Sequence, residues 1–77
     1  MKNIRELNLS EMIGKTIKCI ELVTNDSEEI STEIYVLEDN ENQNELCEEL
    51  NAHNNDKHYK YIAVDYEVQE DESLASV

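Results

Sequence analysis

The chain has 77 residues, among them 19 acidic and six basic side chains, for a formal net charge of −13 at pH 7. That length holds one small domain with one core, and the sign of the charge excludes direct binding to DNA or RNA, where cations must face phosphates. Trp, Phe and Pro are absent and Tyr occurs four times, so aliphatic residues must build a core whose net stability is only ~3–5 kcal/mol.

Low hydropathy with high charge is also the composition of disordered chains. Here, however, the apolar residues gather in three runs, "TIKCIELV", "ISTEIYVL" and "YKYIAVDYEV", rich in β-branched and aromatic types. Such clustering predicts a folded core.

Taken in chain order, "NIRELNLSEMI" (3–13) offers two helix starts. Asn3 with Glu6 has capping-box spacing, and Ser10 suits the cap of a short turn ending at Gly14. Gly14, the one glycine, is expected where a helix C-cap requires positive φ. Residues 16–24 read as a strand with apolar residues on both faces, and "NDSEE" (25–29) as a turn closed by its own side chains. In 30–39, Ile30, Thr32, Ile34 and Val36 alternate with Ser31, Glu33, Tyr35 and Leu37, which predicts the second strand of a β-hairpin. Leu46, Cys47 and Leu50 are spaced to face a core from a short amphipathic helix over 43–53, with Glu41, Glu45, Glu48 and Glu49 on its outer face. In 58–69, Ile62, Val64, Tyr66 and Val68 alternate with Tyr59, Tyr61, Asp65, Glu67 and Gln69, the pattern of a half-buried strand. The tail, 70–77, is acidic and then small, and is expected to be frayed or disordered. The expectation is a single α+β domain over 1–69. Its order is α-β-β-α-β: a short N-terminal helix, a β-hairpin, an acidic helix and a third strand, with a helix against the apolar face of a three-stranded sheet.

Few residues carry a chemical signature. Cys19 and Cys47 lack CxxC spacing, "MKNIRELNLSEM" lacks the apolar core of a signal peptide, and no run approaches transmembrane length. The expectation is a cytoplasmic protein, away from membranes, with reduced thiols used for packing. A Ca²⁺ loop starting at Asp39 would place Asn44 at the glycine position and Leu50 where a bidentate Glu belongs. His53, Asp56 and His58, with Cys47 upstream, match no zinc spacing. No nucleophile sits in a glycine-flanked elbow, and one glycine builds no phosphate cradle. No enzyme activity, no cofactor and no dedicated metal site are expected.

Charge distribution is the distinctive signal. From Cys19 to Asp56 there are twelve acids and no Lys or Arg, and from Tyr61 onward five more acids without a base. Surfaces that serve solubility intersperse the two signs. Acids four apart on a helix, such as Glu41, Glu45 and Glu49, project from Cβ atoms ~5–6 Å apart. Acids two apart on a strand, such as Asp65 and Glu67, lie ~6.5–7 Å apart on one face. Both spacings approach that of neighbouring phosphates on a nucleic-acid strand.

In its base-free span 19–56, its row Glu41, Glu45, Glu48 and Glu49, and its acidic strand end "EDE" (70–72), the chain resembles the small DNA-mimicking inhibitors of bacteriophages. These are the anti-CRISPR and anti-restriction proteins. The resemblance lies in size and charge and transfers no functional residue by motif. It implies a stoichiometric inhibitor that occludes the basic nucleic-acid site of a host enzyme, such as a Cas effector or a restriction enzyme. In a Cas9-like effector, the PAM-reading arginines and the heteroduplex channel would receive the carboxylates. On that reading the partner-binding residues are Glu38, Asp39, Glu41, Glu45, Glu48, Glu49, Asp65 and Glu67, with Tyr35, Tyr59 and Tyr61 as anchors. Packing beneath a helix or loop would account for the tyrosines equally well. The alternative is a small interaction module without mimicry, dimerising or adding a strand through a sheet edge. Cation buffering by the carboxylates is a third class.

Overall fold

The computed structural model describes residues 1–77. Its elements are β1 (Lys2–Asn3), two 3-10 turns (Ile4–Glu6 and Leu9–Met12), β2 (Thr16–Thr24), β3 (Ser31–Val36), α1 (Gln43–Ala52), β4 (Tyr59–Val68) and β5 (Leu74–Ser76). The strands form one antiparallel sheet in the order β1-β3-β2-β4-β5. With its single helix this is a small α+β domain.

β2 lies at the centre, with β3 on one side and β4 on the other, and this explains why its sequence is apolar on both faces. Ile17, Cys19, Ile20, Glu21 and Val23 are all buried. The hairpin from β2 to β3 forms as the alternation predicts, with Cys19 opposite Val36 and Glu21 opposite Ile34. Its register shifts between Leu22 and Val23, so that Val23 faces Ser31 and Thr32 becomes the extra residue of a bulge. Ile30 falls outside the strand and is 54% exposed. The turn is closed by Asp26, which accepts the N–H groups of Glu28 and Glu29 and the Thr24 hydroxyl.

The N-terminal segment does not form the expected α-helix. Asn3 and Glu6 do make a capping box, but over a 3-10 turn, and the second turn is capped by Asn8 rather than Ser10. These turns place Ile4, Leu7, Leu9 and Met12 against Ile17, Cys19, Val36 and Val68, and they cover the apolar sheet face that the helix was expected to cover. Gly14 ends this segment at φ +84°, in the positive region expected of it.

α1 consequently packs on the opposite face, the one carrying Ile20, Tyr61 and Asp65. The half-buried residues Gln43, Leu46, Cys47 and Leu50 form its inner stripe, and the Gln43 amide donates to the Cys19 carbonyl (2.9 Å) and to Asp65 Oδ1 (3.0 Å). The tail also departs from expectation. After a turn in which Asp71 accepts the Ser73 N–H and hydroxyl, residues 74–76 return as β5, pairing Ala75 with Glu67. No helix is long and apolar enough to cross a membrane.

Candidate functional site

Acids dominate the surface and few of them are neutralised. Ion pairs involve Glu41 with the Met1 amino group (2.6 Å), Glu33 with Arg5 (3.4 Å), Glu29 with Lys60 (3.7 Å), and Asp56 with His58 (3.1 Å). The remaining acids meet no cation within ion-pair distance.

The residues singled out from the sequence fall into three groups. Glu45, Glu48 and Glu49 stand exposed on α1, with Glu38 and Asp39 exposed in the loop before it. Glu45 and Glu49 are one helical turn apart and flank a shallow groove that also includes Asn42 and Leu46. The Asn42 side chain accepts the Glu45 N–H as the helix N-cap. Glu41 borders both the groove along α1 and the one lined by Glu38 and Asp39.

Glu41 and Asp65 make up the second group, and neither is free. Glu41 precedes the N-cap and so lies off the helix. The Met1 ammonium bonded to its carboxylate, and the Glu38 N–H after it, hold its pKa below the usual carboxylate range. Asp65 is half-buried beneath α1 and bonded to Gln43, so it cannot form a phosphate-like pair with exposed Glu67. The two departures have separate causes: the Met1 amino group reaches Glu41, and α1 lies on the Asp65 face.

The third group is aromatic. Tyr35 faces Ile20, Tyr61 faces Leu22 and Tyr59 faces Thr24, so all three lie half-buried on the α1 face of the sheet. Burial, with the charge of Glu33 next, raises the pKa of Tyr35. Their placement fits packing around Ile20 and Leu22 more closely than free anchoring.

Two features had not been anticipated. Glu67 joins Glu70 and Asp71 around an open cleft of about 580 Å³ between Ile13–Gly14 and the β4–β5 turn. The signal was present in "EDE", but the cleft exists only because the tail folds back as β5. The second is Glu21, 6% exposed in the centre of the sheet and hydrogen-bonded by the Tyr66 hydroxyl. An acid inside the run "TIKCIELV" was its only sequence trace. Burial first, and then Glu21, push the Tyr66 phenol up to about 12. Burial likewise pushes the Cys19 thiol up to about 12, with Asp65 and Glu21 adding to it. A thiol so held is a packing group and a poor nucleophile.

Asp56 and His58 meet at 3.1 Å, but no three His, Cys, Asp or Glu side chains are arranged to hold a metal ion. Comparison with family models, with curated proteins and with solved structures finds no match for this chain.

Proposed function

We propose that this protein is a stoichiometric inhibitor of the DNA-mimicking kind, whose acidic surface occupies a basic nucleic-acid-binding site on another protein. The observation that carries this reading is the set of acids Glu45, Glu48 and Glu49 on α1, with Glu38 and Asp39 in the loop before it. All five are exposed and none has a cation partner within the chain, and α1 contributes no buried residue to the core. Uncompensated charge opposes compaction, and a basic partner would relieve it. Attraction of this kind speeds encounter and competes with nucleic acid for the same groove.

Immobilised protein is passed a bacterial extract at low salt and the bound proteins are eluted with rising salt. A basic nucleic-acid enzyme released in a narrow salt step, and displaced by added DNA or RNA, supports the reading. With that enzyme as probe, the Glu45→Lys/Glu49→Lys variant binds at least tenfold more weakly while remaining folded, as expected when charge reversals at two contacts each cost on the order of 1 kcal/mol or more. Unchanged affinity in that variant overturns the α1 version of the proposal.

A second reading, an interaction module that adds a strand from a partner, is favoured by the edge of β3. β1 pairs only with Tyr35 and Val36, which leaves the edge at residues 31–34 open. Binding of that kind persists at high salt and ignores added nucleic acid.

A further inference from the structure

β4 has β2 as its neighbour from Tyr59 to Glu67, while on its other side β5 reaches only Tyr66–Val68. Between Tyr59 and Asp65 its outer backbone groups therefore have no strand to pair with. Such an edge recruits other chains unless something blocks it.

α1 and the loop after it meet this edge with side chains. Asn51 Oδ1 accepts the Tyr61 N–H at 2.8 Å, and Asn51 Nδ2 donates to the Tyr61 carbonyl at 2.8 Å. That reciprocal pair is the one a residue of a neighbouring antiparallel strand would make. The Cys47 thiol adds a contact to the same carbonyl at 3.5 Å. Asn54 Nδ2 donates to the Tyr59 carbonyl at 2.9 Å, and at the other end the Val77 N–H closes the Asp65 carbonyl at 3.0 Å. Ala63, exposed between these positions, receives no such cover.

We infer that α1 is an edge guard, and that Asn51 and Asn54 stand in for a missing strand to keep β4 from pairing with β4 of a second copy. The sequence of β4 makes a second copy the fitting occupant. Two β4 strands, antiparallel and centred on Tyr61 so as to stay clear of β5, would set Tyr59 against Ala63, Lys60 against Ile62 and Lys57 against Asp65. No like charges would then stand opposite each other, so nothing local to the strand forbids the pairing. The long-range repulsion of two copies at −13 each opposes it, but that term is screened by salt. The guard is the part that salt does not remove.

The test is the Asn51→Ala/Asn54→Ala variant, with amide exchange and sedimentation as readouts. At low protein concentration the Tyr61 amide is expected to exchange on the order of tenfold faster than in the parent chain, from loss of its partner. At about 1 M salt, where the Debye length falls to about 3 Å, the variant is expected to associate. Adding Ala63→Pro, which removes only an outward N–H at an edge, is expected to abolish that association. Unchanged Tyr61 exchange, or association that persists with Ala63→Pro, overturns the inference. If the double variant fails to fold, Asn51→Ala alone decides by the same two readouts, because it removes both bonds to Tyr61 and leaves Asn54 in place.

Discussion

Strand β2 contributes five of the seven buried residues, whereas α1, of nearly the same length, contributes none. Stability is concentrated in one strand and its flanks, and uncompensated charge is concentrated in the helix and the loop before it. The two regions touch through polar contacts, Gln43 to Cys19 and Asp65, and Asn51 to Tyr61, and through the half-buried stripe Leu46, Cys47 and Leu50. In a domain with only a few kcal/mol of net stability, this separation means that the surface can be rewritten while the fold survives, and that the reverse cannot be done.

The separation is broken most severely at its apolar end. Ile20 is fully buried on the α1 face, and truncation to Ala is expected to cost about 2–5 kcal/mol. Against the net stability available, that leaves the chain largely unfolded, and urea denaturation monitored by circular dichroism would read it. A cooperative transition near that of the parent chain would place the core elsewhere.

Next in size is the polar contact between β2 and β4. Tyr66→Phe removes the hydroxyl that satisfies buried Glu21, and a loss of about 1–3 kcal/mol is expected. The same contact sets an alkaline limit. Tyr66 moves from an ordinary 10.0 to about 12, and Cys19 from 9.0 to about 12. For both groups the folded state holds the proton to higher pH than the unfolded state does. Their contribution is complete below the unfolded values, falls as pH rises past them, and is gone above about 12. Thermal melts across that window should show a steady fall that is shallower in Tyr66→Phe, because one of the two groups is gone. A Gly14→Ala substitution is smaller again. Its Cβ would meet nothing within 4 Å, but φ is +84°, so the loss is about 1 kcal/mol, from backbone strain alone.

The strongly patterned parts of this fold were legible. β2 spans the residues its apolar run marks, and α1 and β4 end within a residue of the bounds set by spacing and alternation. β1 and β5 were not legible, since strands of two and three residues have no room for a period to repeat, and their pairing depends on β3 and β4 already being in place. Which face α1 covers was also hidden. Alternation in β4 showed an apolar face, but Leu7, Leu9 and Met12 in the N-terminal turns took it, leaving the helix the face with Ile20 and Asp65. The candidate surface divided along the same line. Glu45, Glu48 and Glu49 are exposed because helical spacing alone puts them opposite Leu46 and Leu50. Glu41 and Asp65 are engaged because contacts distant in sequence, with Met1 and Gln43, reached them first.

The smallest expected change in stability sharpens the comparison most. Glu45→Lys/Glu49→Lys alters two exposed residues that make no side-chain hydrogen bond or ion pair within the chain, so stability is expected to shift by no more than about 0.5 kcal/mol. The sign should be favourable at low salt, because reversing two like charges on a strongly negative molecule reduces self-repulsion, and the gain should fade as salt is added. Paired melts of parent and variant at low and high salt measure this directly. A loss of stability independent of salt would mean that these carboxylates take part in holding α1 to the sheet, and the helix could no longer be treated as a surface separate from the fold. A small gain that salt removes would show that the acids on α1 oppose folding. Such a cost in the free protein is the one that the basic partner proposed above would offset.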